Sequence, residues 1–129
     1  MILDASALVA ILIQEPAAND LVEKLAAAEA VGIGAPTLAE AGIVLQAKLG
    51  RDPRGILARF LQEFEVSTVP FGEDHWREAI NAYRLYGKGS HPAGLNFGDC
   101  MSYAVAKLSG EALLYTGDDF RRTDVSEDA

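Results

Sequence analysis

The chain opens with Met-Ile-Leu-Asp-Ala-Ser-Ala, residues 1–7, and this stretch decides the fold. Its apolar run predicts a strand over Met1–Asp4 that is buried on both faces, with a helix beginning at about Ala5. The Asp4 carboxylate would then lie at the carboxyl end of a buried strand. Charges are rarely buried without a partner, and ligands of open α/β sheets bind at that edge. Asp4 therefore predicts a site whose other members lie further along the chain.

Composition limits the kind of protein. The chain has 129 residues, of which 19 are acidic and 11 basic, and its formal net charge is −8. This balance argues against holding nucleic acid by bulk electrostatic attraction. It allows binding through divalent cations, a local basic patch, or a basic protein partner. Hydrophobic residues make up 50% of the chain, which predicts one folded domain over residues 1–129.

Two further features concern location. Cys100 is the single cysteine, so no internal disulfide can form, and we expect it in the core. The N-terminal run has no basic residues and contains an acid, which makes it a poor signal peptide. No apolar run reaches the length of a transmembrane helix. We therefore expect a cytoplasmic protein without membrane association.

Strands and helices alternate in the pattern of the remaining chain. Further strands are predicted at Val31–Ile33, Val66–Val69 and Ala112–Tyr115. Helices are predicted at about 5–13, 19–28 with Asn19 as its cap, 37–49, 53–64, 73–86 and 97–109. Gly87–Asn96 is predicted to be a glycine-rich loop, and the polar tail Arg121–Ala129 is expected to fray. The alternation predicts a layered α/β domain with a parallel sheet.

Several acids besides Asp4 stand at element boundaries. Glu40 lies in the first turn of its predicted helix, where it could complete a capping box with Thr37. Asp99 lies in the first turn of another helix, where Asn96 or Gly98 could be the cap. The pair Asp118-Asp119 follows the last strand, and alone would be an ordinary acidic turn.

The predicted topology allows all of these acids to lie in one site, at the edge of the sheet formed by the carboxyl ends of its strands, where Asp4 is expected. Carboxylates that meet repel one another and raise one another's pKa unless a cation is present. Oxygen ligands of this kind suit Mg²⁺ or Mn²⁺ rather than zinc. Such an ion activates a bound water and neutralises phosphate charge, which is the chemistry of phosphodiester hydrolysis. We expect the Ser6 hydroxyl to fix Asp4, to cap the first helix, or both.

Four motifs, in this order, resemble those of PIN-domain proteins. They are Asp4-Ala-Ser6, Thr37-Leu-Ala-Glu40, Asn96-Phe-Gly-Asp99 and Leu113-Leu-Tyr-Thr-Gly-Asp-Asp-Phe120. Within that family the chain is similar to the VapC-type toxins of bacterial toxin–antitoxin pairs, and the stretch Tyr86–Cys100 resembles a mycobacterial-type subgroup. The resemblance covers essentially the whole chain. It implies a three-layer α/β/α fold with a central parallel sheet of four to five strands.

The resemblance also implies a function and a set of site residues. It implies an endoribonuclease that depends on Mg²⁺ or Mn²⁺, hydrolyses RNA through a metal-activated water, and halts translation. A cognate antitoxin would block the site, and the toxin would be a homodimer or form a hetero-oligomer with the antitoxin. The acids that the family motifs place in the metal site are Asp4, Glu40, Asp99 and, as the fourth, Asp119 in preference to Asp118. Their supporting residues would be Ser6, Asn96 and Thr116.

Contacts to RNA and to the antitoxin are expected elsewhere on the surface. Lys88 and His91 in the glycine-rich loop, with Arg84 on the preceding helix, are the candidates for RNA binding, although each could be an ordinary surface charge. An antitoxin arginine could pair with the acids of the site. The apolar helices Leu38–Leu49 and Ile56–Phe64 could form a groove for a partner or simply pack into the core.

Two other classes of function compete with the nuclease. In a non-catalytic binding module the acids would be caps and turns, and Asp4 and Asp99 would be satisfied separately and far apart. A metal-dependent phosphatase or DNA nuclease could use a similar sheet. A phosphatase with an aspartyl nucleophile would usually have a second acid two residues after Asp4, where Ser6 stands. The preference for RNA over DNA rests on the resemblance.

Overall fold

The computed structural model describes residues 1–125, which form one parallel sheet between two layers of helices. The strands in this part of the chain are β1 (Ile2–Leu3), β2 (Val31–Gly34), β3 (Val66–Val69) and β4 (Leu113–Leu114). The α-helices are α1 (Ala5–Leu12), α2 (Ala18–Ala27), α3 (Ala35–Leu49), α4 (Arg54–Glu63), α5 (Glu73–Tyr86) and α6 (Phe97–Ser109). A 3₁₀-helix, Asp119–Arg122, follows the last strand.

The strand order explains where a site forms. The sheet runs β3-β2-β1-β4, and all of its pairings are parallel. The chain adds β2 and β3 on one side of β1 and then returns to add β4 on the other, where Ile2 pairs with Leu113. The direction of winding therefore changes between β1 and β4. In open α/β sheets the crevice outside the carboxyl ends of such a strand pair is the usual place for a ligand.

Two hydrophobic cores lie on the two faces of the sheet, because successive residues of a strand point to opposite sides. Leu3 of β1 and Leu114 of β4 pack in the core beneath α1, α2, α3 and α4. Ile2 and Leu113, their neighbours, pack in the core beneath α5 and α6. This arrangement confirms the predicted three-layer α/β/α fold with four parallel strands. Within residues 1–125, no helix is long and apolar enough to cross a membrane.

The starts of two helices differ from the prediction. Helix α2 is capped by Ala17 instead of Asn19, which lies exposed inside the helix. Helix α3 begins at Ala35, directly after β2, with Pro36 in its first turn, where the missing N–H of proline costs no hydrogen bond. Thr37 is therefore inside the helix and buried. The predicted capping box between Thr37 and Glu40 was wrong.

The first helix is capped by Asp4. The Asp4 backbone is extended, and its side-chain oxygen accepts a hydrogen bond from the Ser6 backbone N–H. The alternative in which Ser6 caps α1 was therefore wrong, and the role of Ser6 as a partner of the Asp4 carboxylate remains. Cys100 is buried as predicted, and burial together with the charge of Asp99 raises the pKa of its thiol to about 11.

The predicted fraying of the tail was wrong for residues 121–125. Val125 is buried in the core beneath α5 and α6. The Asp124 carboxylate accepts hydrogen bonds from the Tyr103 hydroxyl at 2.8 Å and from the Lys107 ammonium at 2.6 Å. These contacts dock the segment after β4 onto α6. The rest of the predicted tail, residues 126–129, lies outside the described residues.

Candidate active site

Asp4 is the centre of the site, and hydrogen-bond donors hold its buried carboxylate. Oδ2 accepts from the Ser6 hydroxyl at 2.6 Å and from the Ser6 backbone N–H at 3.1 Å. Oδ1 accepts from the Ser102 hydroxyl at 2.5 Å. Hydroxyl and amide dipoles thus stabilise a charge that would otherwise be costly to bury, and they fix the direction in which it points.

A chain of hydroxyl groups extends from Asp4 into the neighbouring elements. The Ser6 hydroxyl accepts from the Thr116 backbone N–H at 3.1 Å, which joins the segment after β4 to the first turn of α1. The Ser102 hydroxyl lies 3.2 Å from the Thr37 hydroxyl. Because Ser102 has one proton and gives it to Asp4, Thr37 is the donor in this pair. The two hydroxyls therefore link α3 directly to α6, and Ser102 connects this pair to the Asp4 carboxylate.

Ser102 was missed by the sequence reasoning. It lies three residues after Asp99, so both residues share one face of α6. A search for hydroxyl residues one helical turn beyond each candidate acid would have found it. Thr116, predicted as a supporting residue, acts through its backbone N–H.

Glu40 lies in α3 and turns its half-buried carboxylate toward the start of α6. It shares an opening of about 310 Å³ with Asp4, Ser6 and Thr116. A Cβ atom at position 98 would overlap the Glu40 carboxylate, so Gly98 provides the space in which this side chain rests. Burial, and then the negative charge of Asp4, raises the pKa of the Glu40 carboxyl above its ordinary value.

Asp99 is both a helix cap and a member of the site. The Asn96 side chain accepts from the Asp99 backbone N–H at 2.9 Å, and Asp99 Oδ2 accepts from the Asn96 backbone N–H at 3.0 Å. Burial raises the pKa of the Asp99 carboxyl to about 7. The hydrogen bond from Asn96 opposes this rise, and the charges of Asp4 and Asp119 add to it.

The structure separates the two acids that follow β4. Asp119, the first residue of the 3₁₀-helix, lies near enough to Asp99 for its negative charge to contribute to the raised pKa of the Asp99 carboxyl. Asp118 is exposed and lies 3.4 Å from a guanidinium nitrogen of Arg121. The geometry therefore brings Asp119 to the other acids and directs Asp118 to solvent. The catalytic roles of Asp4, Glu40, Asp99 and Asp119 stay predictions.

In the part of the chain that the structure describes, the four carboxylates have no cationic partner. Among residues 1–125, no lysine or arginine forms an ion pair with any of the four. Nor do three acids, histidines or cysteines within this range form a ready-made ligand cluster. Mg²⁺ is commonly bound through one or two carboxylates and keeps several waters. An oxygen-only set with uncompensated negative charge thus fits Mg²⁺ or Mn²⁺, with waters completing the shell.

The three RNA-binding candidates fall in two environments. Arg84 and Lys88 line a groove of about 940 Å³ beside Asn96. The His91 ring is half-buried, accepts from the Ala93 backbone N–H at 3.0 Å, and packs edge-on against Tyr86. His91 therefore shapes the glycine-rich loop, and its contact with RNA stays a prediction.

Comparison with known proteins places the chain in a family. The profile of the PIN domain matches residues 1–126. The chain belongs to the PIN-domain family. It is 44% identical over 126 residues to Ribonuclease VapC of Mycolicibacterium smegmatis, covering 98% of each chain. It is 40% identical to Ribonuclease VapC30 of Mycobacterium tuberculosis, covering 98% of this chain and 96% of the relative. The predicted resemblance to the VapC group of this family is confirmed.

Solved PIN-domain structures show the same fold. The crystal structure of Mycobacterium tuberculosis VapC20, described as a sarcin–ricin loop cleaving toxin, aligns with a TM-score of 0.77 at 16% identity. That alignment covers 98% of this chain and 96% of the other. A toxin–antitoxin complex from Klebsiella pneumoniae aligns with a TM-score of 0.72 at 17% identity, covering 97% and 93%. At these identities the likeness supports the fold alone.

Proposed function

We propose that this PIN-domain protein is a Mg²⁺- or Mn²⁺-dependent endoribonuclease and the toxin of a toxin–antitoxin pair. One observation carries the proposal. Asp4 and Glu40 line one opening where the winding of the sheet changes direction, and the Glu40 carboxylate lies against Gly98, next to Asp99. Within residues 1–125, no lysine or arginine pairs with these acids or with Asp119. The relatives named as VapC ribonucleases, at 40 to 44% identity over nearly the whole chain, supply RNA as the substrate class.

Each residue contributes a distinct part of the chemistry. Asp4, oriented by Ser6 and Ser102, and Asp99, oriented by Asn96, would hold the ion. A divalent ion bound there supplies charge neutralisation at the phosphate and polarises water for attack. Glu40 is suited to accept a proton because burial raises the pKa of its carboxyl above the ordinary value. Asp119, beside Asp99, adds a fourth oxygen donor at the same edge.

A second groove suits the antitoxin. Helices α3 and α4 enclose about 720 Å³ lined by apolar side chains, among them Leu38, Ile43, Leu57 and Leu61. We propose that an apolar segment of the antitoxin lies in this groove, while an arginine of the same chain pairs with the acids of the site and excludes the metal ion. The Klebsiella pneumoniae relative was solved as a toxin–antitoxin complex. We also propose that the protein forms a homodimer and acts in the cytoplasm.

The geometry argues against the rival functions. In a binding module, Asp4 and Asp99 would be satisfied far apart, whereas here Ser102, one turn after Asp99 on the same face of α6, donates to Asp4. The position where an aspartyl phosphatase would have its second acid holds Ser6, which donates to Asp4. The cleavage experiment described next decides whether the substrate is RNA or DNA.

The test incubates the purified protein with single-stranded RNA and with DNA of the same sequence. We expect cleavage of RNA in Mg²⁺ and none in excess chelator. Asp4→Asn and Asp99→Asn should reduce cleavage to the level of the chelated protein, while Asp118→Asn should cleave like the wild type. Wild-type cleavage in excess chelator, or by Asp4→Asn, would contradict the mechanism. Equal cleavage of DNA would contradict the substrate class.

A further inference from the structure

An aromatic groove runs from α5 to the start of α6, with a volume of about 940 Å³. Three of its aromatic side chains are well exposed, namely Trp76 at 47%, Tyr83 at 49% and Phe97 at 79%. Trp76 and Tyr83 are seven residues apart on α5 and therefore share one face of that helix. Exposed aromatic rings grouped in this way usually mark a binding surface, because rings that remain exposed to solvent do not stabilise the protein core.

One end of the aromatic groove reaches the candidate active site. Phe97 is the first residue of α6 and lies two positions before Asp99. Asn96 lines the groove, and its backbone N–H donates to the Asp99 carboxylate at 3.0 Å. A molecule lying in the groove would therefore extend to the acids that are proposed to hold the metal ion.

The rim of the aromatic groove carries positive charge on a protein whose formal net charge is −8. Arg84 and Lys88 line it, and neither pairs with a carboxylate in the part of the chain from 1 to 125. Arg84 donates instead to the neutral Asn81 side chain at 2.8 Å. The Arg77 guanidinium lies 5.2 Å from the centre of the Trp76 ring. The charges are thus available to an anionic ligand.

We infer that the aromatic groove binds single-stranded RNA beside the phosphate to be cleaved. Unpaired bases stack on Trp76, Tyr83 and Phe97, and backbone phosphates contact Arg84 and Lys88. Aromatic rings combined with cations form the usual binding surface for single-stranded nucleic acids. The bases of a duplex are already stacked on one another, so they are not free to stack on protein rings. An apolar protein segment or a second copy of the chain would not need the cations. The inference rests on the proposed ribonuclease function, which it extends to the form of the RNA.

The test measures binding and cleavage separately. Fluorescence anisotropy with a labelled single-stranded RNA in excess chelator reports binding without cleavage. Phe97→Ala and Trp76→Ala should each weaken binding about tenfold, the loss of one stacked base. Phe97→Tyr should bind like the wild type, and Phe97→Leu, which keeps an apolar side chain, should not. Leu108→Ala, at an exposed apolar residue near the other end of α6, is the matched control and should change nothing.

Charge and cleavage give two further readouts. The double variant Arg84→Gln, Lys88→Gln should weaken binding and reduce its salt dependence, because fewer counterions are released. In cleavage assays with Mg²⁺, Phe97→Ala should raise KM about tenfold and change kcat much less. Circular dichroism checks that each variant is folded.

Several outcomes would overturn the inference. Wild-type binding by Phe97→Ala and Trp76→Ala would do so, as would equal affinity for a duplex of the same sequence. If these variants turn a dimer into a monomer that still binds RNA normally, the aromatic groove is an interface between two copies. Failure of the proposed function looks different, because the wild type would then bind single strands through these residues without cleaving them.

Discussion

At the scale of single residues, Ser102 holds the buried Asp4 carboxylate in one orientation. Its hydroxyl donates a hydrogen bond to Asp4 Oδ1 and accepts one from the Thr37 hydroxyl. Ser102→Ala removes the donor of one buried group and the acceptor of another. A buried polar group without a partner costs about 1–3 kcal/mol. We expect unfolding by urea to show a loss of that size and RNA cleavage to fall with it, because Asp4 is no longer held in one direction.

Ser102→Thr is the control for this prediction. It keeps the hydroxyl, so it should recover most of the cleavage activity that Ser102→Ala loses. Stability and cleavage both at the wild-type level in Ser102→Ala would show that Ser6 alone orients Asp4.

Asp99 predicts a dependence of stability on pH in the absence of divalent ions. Its pKa rises from an ordinary 3.8 to about 7 on folding, chiefly through burial. Between these values the folded state binds more protons than the unfolded state, so stability falls as pH rises from about 4 to about 7. Thermal melts in chelator should show this fall for the wild type. Asp99→Asn should show a smaller fall and melt at a higher temperature than the wild type at pH 8.

Divalent ions provide the internal control for this prediction. With Mg²⁺ present, the wild type should regain stability at pH 8, because the ion replaces the proton as the partner of the ionised carboxylate. A wild type whose stability in chelator is flat across this pH range would contradict the prediction.

At the scale of elements, the position of the Glu40 carboxylate of α3 against the start of α6 depends on the space left by Gly98. A Cβ at this position would displace the Glu40 carboxylate, which belongs to a flexible side chain and can move aside. Alanine is favoured over glycine inside a helix by about 1 kcal/mol. We therefore expect Gly98→Ala to keep or raise the free energy of unfolding while lowering RNA cleavage at least tenfold, on the order of the loss of one positioned charged group.

Glu40→Gln serves as the comparison for Gly98→Ala. If Gly98→Ala acts by moving Glu40, the double variant should cleave no more slowly than Glu40→Gln alone. Additive losses in the double variant would mean that position 98 acts through something other than Glu40.

The segment after β4 is held by a different contact. Asp124 joins it to α6 through Tyr103 and Lys107, and Asp119 lies just upstream. Asp124→Ala should speed hydrogen exchange of the amides at 119–123 and lower cleavage several-fold, because Asp119 is no longer fixed near Asp99. Asp118→Ala removes a solvent-exposed ion pair, worth little, and should leave both measurements unchanged. Equal exchange in the two variants would show that Phe120 alone holds the segment.

Much of this element architecture was predictable from local pattern. The short run Val31–Ile33 and the β-branched, alternating stretch Val66–Val69, with amphipathic segments between them, are enough to predict parallel strands in a layered domain. The cap positions were not, because Gly34 ends β2 and starts α3 with no loop between them. Tertiary packing then buries Thr37, a residue whose local preference is to cap. The docked tail escaped prediction for a similar reason, since its polar residues find partners on a helix far away in sequence.

At the scale of the whole molecule, the proposed metal site couples the ion to folding. The acids repel one another in the folded chain, so an ion bound to them should stabilise the fold. At about a hundred times the dissociation constant the gain is about 2.7 kcal/mol, which raises the melting temperature by about 10 °C for a domain of this size. Calorimetry with and without Mg²⁺ measures it. The double variant Asp4→Asn, Asp99→Asn should show no rise, and a rise there equal to that of the wild type would place the ion elsewhere.

Only the acidic residues of the candidate site could be predicted from the sequence. Asp4, Glu40, Asp99 and Asp119 could be named because each stands at an element boundary and the motifs occur in order. Ser102 and the aromatic groove could not, because a serine or an exposed aromatic ring inside a helix has no distinctive pattern in the sequence. Their importance follows from which helices face each other, and that is decided by long-range packing.

The central position of β1 has a consequence for synthesis on the ribosome. Ile2 and Leu3 pair with Leu113 and Leu114, and the Ser6 hydroxyl accepts a hydrogen bond from the Thr116 N–H. A chain synthesised only as far as residue 112 therefore contains Asp4 but lacks β4 and the Thr116 N–H, which complete the surroundings of Asp4. Such an incomplete chain should not cleave RNA, and the ribosome that synthesises it would therefore be spared.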